Sequence, residues 1–105
     1  MKLREVSILD EAVDDLDHGQ MFYDVQREGI GNYFVTSLLN DISTLSLSAG
    51  IHSKHFTYFR LLSKKFPFAV YYEMDRSIVK VVAVLDMRRN PDSIKQILRY
   101  RRHTK

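Results

Sequence analysis

The sequence predicts an α+β domain with a four-stranded, mainly antiparallel sheet, a helical hairpin on one face and a C-terminal helix. The first half holds one short alternating segment and then two stretches with apolar residues at helical spacing, separated by glycines. The second half holds three runs of branched and aromatic residues and a last helical stretch. The 105 residues are the length of one domain, and no repeat or linker divides residues 1–105.

The first half predicts a strand and two helices. Apolar residues alternate imperfectly over Lys2–Ile8, which indicates the N-terminal strand. Asp10 is predicted to cap a first helix, because acidic residues follow it where the helix dipole favours them, and Gly29 is predicted to end that helix. A second helix is predicted from about Asn32 to about Leu47, so that the two helices form a hairpin.

A loop is predicted over Ser48–Phe56, and three strands are predicted to follow it. Residues alternate over Thr57–Phe66, and Phe68–Met74 is rich in aromatic and branched residues. Ile78–Met87 is apolar almost throughout, which is typical of a central strand buried on both faces.

The last element predicted is a helix with one apolar face and a basic end. Asn90 is predicted to cap it, with Pro91 at its first position, and it is predicted to run to about Arg101. Its apolar face comprises Ile94, Ile97 and Leu98, and its basic end comprises Arg99, Arg101 and Arg102.

Composition narrows the class of protein. The sequence contains no cysteine, which excludes disulfides and thiolate metal sites and suits a reducing compartment. No apolar run approaches the roughly 18 residues that a membrane span needs, and the N-terminus is unlike a signal peptide. We therefore expect a cytoplasmic protein with no membrane association, no cofactor and no metal site.

Charge is distributed unevenly along the chain. Residues 1–52 hold three basic and nine acidic side chains, whereas residues 53–105 hold thirteen basic and four acidic ones. The second half is thus predicted to form a basic surface, whose natural partners are nucleic acid, the ribosome or an acidic protein segment. Clustering of solvated charges without function is the alternative interpretation.

Seven local strings, in order along nearly the whole chain, resemble the RelE/ParE toxin superfamily. They are Ala12-x-x-x-Leu16, Phe22-Tyr23, Gly29-Ile30-Gly31-x-x-Phe34, Leu38 with Asp41-Ile42, Phe59-Arg60-x-Leu62, Phe66-Pro67-Phe68-x-Val70-Tyr71-Tyr72, and Val81-x-Ala83-Val84-x-Asp86-x-Arg88-Arg89-x-Pro91. The resemblance implies the toxin of a bacterial type II toxin–antitoxin pair, which forms an oligomer with a cognate antitoxin.

The superfamily has two branches that imply different targets. ParE-like members poison DNA gyrase, whereas RelE-like members are endoribonucleases that cleave messenger RNA in the ribosome. Ribonuclease members typically end in a short tail with a catalytic Tyr or His, whereas here Pro91 opens a helix, with Tyr100 and His103 at or beyond its end. This departure favours the ParE-like branch; the ribonuclease, and a degenerate member that only binds its partner, remain alternatives.

The residues that would act on the target fall into two sets. Catalytic residues are unknown, and the candidates are Arg60, Arg88, His52 and Lys54. The two arginines match strand-borne arginines of the superfamily, or they pair with Asp86 or Glu73 across the sheet; His52 and Lys54 offer acid–base chemistry, or simply lie in a solvated loop. Target binding is predicted for Arg60, Lys64, Lys65, Arg88, Arg89, Arg99, Arg101 and Arg102.

Overall fold

The structure, a computed structural model, describes residues 3–103 and confirms the α+β class. The elements in chain order are β1 (Glu5–Ile8), α1 (Asp10–Gln26), α2 (Ile30–Ser43), α3 (Leu45–Ser48), β2 (Lys54–His55), β3 (Tyr58–Leu62), β4 (Phe68–Asp75), β5 (Ile78–Asp86) and α4 (Pro91–His103). No helix within residues 3–103 is long and apolar enough to cross a membrane.

The sheet has five strands in the order β1-β5-β4-β3-β2, so the prediction of four strands was wrong. The added strand, β2, lies inside the predicted loop, where Lys54 and His55 pair with Phe59 and Tyr58 across a tight turn. Strands β2 to β5 are antiparallel neighbours, as predicted, but β1 runs parallel to β5. The sheet is therefore mixed, with the first and last strands side by side.

Both faces of the sheet are covered. The helical hairpin α1–α2 packs on one face, where the core includes Leu16, Phe34, Leu38, Val70, Tyr72, Val79, Val81 and Val84. Helix α4 packs on the other, where the core comprises Tyr58, Ala69, Tyr71, Val82, Ala83, Leu85, Ile94 and Leu98. The central β4 and β5 are buried on both sides, which confirms the prediction made from the apolar run Ile78–Met87.

A β-bulge in β5 changes which side chains of this strand face each side of the sheet. Tyr71 pairs with Ala83 but Tyr72 pairs with Val81, so Val82 is an extra residue in the ladder. Val82 and Ala83 consequently both contribute to the core beneath α4. Strand β1 ends at Ile8, opposite Val81, and therefore leaves the outer edge of β5 without a strand partner from Val82 onward.

Several predicted boundaries were wrong in the N-terminal half. Leu9, not Asp10, is the N-cap of α1, and its carbonyl accepts from the N–H groups of Ala12 and Val13. Helix α2 begins at Ile30 because Gly29, with φ of 90°, reverses the chain immediately before it. Lys2, the predicted start of the first strand, lies outside the described residues.

The second helical stretch and the following strand are both shorter than predicted. Helix α2 ends at Ser43, and a separate turn of helix, α3, follows it. Strand β3 ends at Leu62, and the N–H of Ser63 donates to the carbonyl of Phe68 across the base of a turn that contains Pro67. Residues 63–66 thus belong to the turn between β3 and β4.

Candidate functional site: a basic groove beside the C-terminal helix

The four candidate catalytic residues are not brought together. His52 and Lys54 lie on the side of the sheet that carries the hairpin, where Lys54 Nζ is 4.9 Å from the centre of the Phe59 ring. Arg60 alternates with Phe59 and faces the α4 side, and Arg88 lies beyond the end of β5. General acid–base catalysis needs its groups within hydrogen-bond reach of one substrate, which this dispersal does not offer among the described side chains.

His52 connects the loop before β2 to the sheet. The hydroxyl of Tyr72 accepts a hydrogen bond from the N–H of Gly50 at 2.9 Å and lies 2.5 Å from His52 Nδ1. That hydroxyl still has its own hydrogen to donate, and it can donate it to Nδ1 when the His52 ring is neutral and Nδ1 carries no proton. Burial lowers the pKa of His52, in keeping with a neutral ring. The geometry gives His52 a structural contact.

This contact predicts a stability loss in mild acid. The folded state holds the pKa of His52 below its ordinary value of 6.5, so it favours the neutral ring. The resulting stabilisation is fully present above pH 6.5 and is lost as pH falls through the folded-state pKa. Urea midpoints measured from pH 7.5 to 5.5 should fall more steeply for the wild type than for His52→Gln. His18→Gln, at an exposed position on α1, is the control and should keep the wild-type slope.

If the urea midpoints of the wild type and His52→Gln fall equally with pH, protonation of His52 does not cause the loss of stability in mild acid.

Four cations lie at one end of the sheet: Lys64, Lys65, Arg88 and Arg89, together called the sheet-end patch. The N–H of Met87 donates to the carbonyl of Pro67 at 2.8 Å, which holds the exit of β5 beside the β3–β4 turn. Tyr23 packs against Phe66 of that turn. All four side chains are exposed.

Arg88 combines an ion pair with accessibility. Its Nε and Nη2 donate to the two carboxylate oxygens of Asp86 at 2.9 and 2.7 Å, and these hydrogen bonds hold the pKa of Asp86 below its usual range. The pairing with Asp86 that the sequence suggested is thus present. The side chain of Arg88 is nevertheless 56% exposed, so the guanidinium remains accessible to a partner.

A second basic surface, the basic groove, lies between α4 and the β2–β3 turn. It has a volume of about 280 Å³ and is lined by Phe56, Thr57, Tyr58, Lys95, Leu98, Arg99 and Arg102. Leu98 and Tyr58 are buried and form its apolar floor, whereas the three cationic side chains are exposed at its rim. The groove combines an apolar pocket with concentrated positive charge.

Helical periodicity explains the basic rim. Ile94 and Leu98 are buried against the sheet, and positions 95, 99 and 102 follow at i, i+4 and i+7 on an adjoining face of α4. Lys95 was missed in the sequence, although its spacing from Arg99 and Arg102 could have identified it. Tyr100 is 65% exposed, and the side chain of His103 lies outside the part that the structure describes.

The side chain of Arg101 is largely withdrawn from solvent, which corrects its predicted place in the exposed basic end of the helix. Its Nη1 and Nη2 donate to the two oxygens of Asp15 in α1, the latter at 2.8 Å, and Nη1 also donates to the carbonyl of Val82 at 3.0 Å. The same carboxylate accepts from the N–H of Val84 at 2.9 Å. The Arg101 and Asp15 side chains are 12% and 10% exposed.

The cause of this burial is again periodicity. Arg101 lies three residues after Leu98 and seven after Ile94, so it continues the buried stripe of α4. There it meets the edge of β5 that β1 leaves uncovered. Arg60 is half-buried on the same face of the sheet, beside Tyr71, which is its neighbour in the ladder between β3 and β4.

Comparison with solved structures finds the same fold in a chain of a toxin–antitoxin system. The chain is similar to a chain of the chromosomal ParDE TA system from P. aeruginosa, with a TM-score of 0.71 over 78% of this chain and 94% of that chain. The two sequences are 16% identical, so the likeness is one of fold. No protein-family model matches the sequence, and no curated protein matches it.

Proposed function

We propose that this chain, which shares its fold with a chain of a ParDE system, is the toxin of a type II toxin–antitoxin pair. In this proposal it is a cytoplasmic, ParE-like protein that inhibits growth by binding and poisoning DNA gyrase, and a cognate antitoxin neutralises it. The observation that carries the proposal is the shared fold, which extends over 94% of the neighbour's chain.

The geometry supports a binding protein better than a nuclease. A gyrase poison needs a shaped, charged surface but no proton transfer by the toxin itself. The basic groove and the sheet-end patch supply such surfaces, whereas His52, Lys54, Arg60 and Arg88 are dispersed over two faces and one end of the sheet. We therefore assign target binding to the groove cations Lys95, Arg99 and Arg102, to Arg60, and to the sheet-end patch.

Induced expression tests the proposal. Growth arrest with induction of a DNA-damage reporter and intact transcripts is the expected result, and the purified protein should inhibit supercoiling by gyrase. Arg88→Ala combined with Arg89→Ala should abolish growth arrest, with a stability cost of at most about 1 kcal/mol for Arg88, which loses an exposed ion pair, and within roughly 0.5 kcal/mol for Arg89. The matched control removes two exposed arginines elsewhere, Arg27→Ala with Arg76→Ala, and should remain toxic.

Two other outcomes would replace the proposal. Cleaved transcripts that a single change at His52 or Lys54 silences would identify the RelE-like endoribonuclease, since losing a general acid or base costs about 10²–10⁴ in rate. Absence of growth arrest at confirmed expression would identify a degenerate member. Co-purification with the product of an adjoining small gene tests the antitoxin separately, and failure to co-purify at moderate salt would contradict that partner.

A further inference from the structure

We infer that the basic groove is a docking site for an acidic protein segment that carries one large apolar side chain. The inference rests on the proposed function in one respect, which is that the segment is taken to belong to the toxin's target. The groove itself is defined by this chain's own residues, and its binding chemistry can be tested without that target.

The size and floor of the groove fit a single side chain. Its volume of about 280 Å³ lies at the low end of ligand pockets, which run from roughly 300 Å³ upward. Leu98 is 1% exposed and Tyr58 3% exposed, and Phe56 at the mouth is 39% exposed. An aromatic or long aliphatic side chain inserted here would be enclosed by apolar surface on the floor and at the mouth.

The cationic rim of the groove favours a negatively charged partner. Lys95 and Arg102, with Arg99 between them, are separated by seven helical steps of α4, which is a distance of about 10 Å along the helix axis. Of the described residues that line the groove, none is acidic. Glu73 lies nearby on the same side of the sheet: burial is the main cause that raises the pKa of Tyr58, the charge of Glu73 raises it further, and the charge of Arg102 lowers it. Carboxylates flanking the inserted side chain would therefore meet a predominantly cationic rim.

The turn that forms the mouth has an unfavourable backbone. Phe56 and Thr57 are the two central residues of the β2–β3 hairpin, and their φ values are 56° and 74°. Positive φ at both positions is typical of the turn that prefers Asn-Gly, and it is strained for a β-branched residue such as Thr57. Strained turns of this kind cluster at binding sites, and here the turn places an exposed phenyl ring at the groove.

A protein segment fits better than a nucleic acid strand. Surfaces that bind single strands present several exposed aromatic faces in series, on which successive bases stack. Phe56 is the one exposed aromatic residue among those that line the groove, since Tyr58 is buried. The groove thus offers one open apolar pocket with a charged rim.

The test uses fluorescein-labelled peptides of twelve residues, all Asp and Glu except for one central Trp, and a matched peptide with Ala at the centre. Fluorescence anisotropy should show the Trp peptide binding at least ~10-fold more tightly, as burial of a large apolar side chain predicts. Arg99→Glu should weaken that binding ~10-fold, while Arg27→Glu, an equal charge change on an exposed residue outside the groove, should leave it nearly unchanged.

A second variant separates binding from folding. Phe56→Asn combined with Thr57→Gly installs favoured turn residues, so Tm should rise by about 4–8 °C while binding of the Trp peptide falls. A structural role for Phe56 predicts the opposite change in Tm. Equal binding of the Trp and Ala peptides would overturn the inference, as would tighter, Arg99-dependent binding of a twelve-residue oligothymidylate.

Growth assays distinguish failure of the docking inference from failure of the proposed function. If the wild type arrests growth and inhibits gyrase but Arg99→Glu is equally active, the groove is not the target-docking site and the proposed function stands. If the peptide results are as expected but gyrase is unaffected, the docking chemistry stands and the proposed target is wrong.

Discussion

Replacing Arg101 with alanine is expected to lower the free energy of unfolding by about 3–5 kcal/mol, the loss typical of breaking a buried ion pair from one side. The guanidinium holds both oxygens of Asp15 and the carbonyl of Val82, and these groups are largely withdrawn from water. Without it, Asp15 keeps its hydrogen bond from Val84 but loses its charge partner. The connection between α4 and α1 would be lost together with the pair.

Urea denaturation of Arg101→Ala beside Arg99→Ala measures this effect. Arg99 is exposed two residues away on the same helix, so its replacement should cost within roughly 0.5 kcal/mol. Removing both charges with Arg101→Met and Asp15→Leu should recover part of the loss, because no unpaired buried charge remains. Similar losses for Arg101→Ala and Arg99→Ala would show that the pair is energetically unimportant.

The burial of Arg101 also changes how the C-terminal helix should be tested. Deleting the chain from Arg99 onward would remove a structural residue together with two groove cations, so loss of toxicity could follow from unfolding alone. Charge reversal at Arg99 is the cleaner change, because that residue is exposed at the rim.

Phe34→Ala is expected to cost about 3–5 kcal/mol, as is usual when a large aromatic side chain is deleted from a core. Phe34 is fully buried in α2, and its ring centre lies 4.8 Å from that of Phe68, 5.1 Å from Phe66 and 5.2 Å from Tyr23. The ring therefore joins both helices of the hairpin to the β3–β4 turn.

Thermal or urea unfolding checks this, with Phe22→Ala as the control, because Phe22 is 48% exposed on α1. A loss no greater than that of Phe22→Ala would contradict the expected role of Phe34.

The close packing of Gly19 in α1 against the Phe34 ring allows an independent measurement. A Cβ added at Gly19 would lie 2.5 Å from the Phe34 ring, so Gly19→Ala and Phe34→Leu should partly compensate in the double variant.

Element types were largely predictable from the sequence because periodicity reports burial on one face. The apolar run Ile78–Met87 identified a central strand, and Ile94 with Leu98 identified the buried face of α4. The pairing of the strands in the sheet was less predictable. Nothing in residues 5–8 shows that β1 runs parallel to β5, since that arrangement depends on contacts distant in the sequence.

The residues of the candidate site were also predictable only in part. Lys95, Arg99 and Arg102 share one helix face that spacing alone could define, and the same spacing places Arg101 on the buried stripe. The sequence could not show that Arg101 has Asp15 as a partner, because the two residues meet only through the packing of α4 on α1. The turn at Phe56 and Thr57 was also hidden, since neither residue type is typical of positive φ.

The Asp15 contacts have a consequence for the order of assembly. Asp15 meets Val84 from 69 residues away and Arg101 from 86 residues away. At a synthesis rate of about 5–20 residues per second, both partners are made several seconds after Asp15. The local α1–α2 hairpin can form in that interval, whereas the basic groove, built from residues 56–102, cannot. A newly made chain thus acquires its hairpin surface before its basic groove.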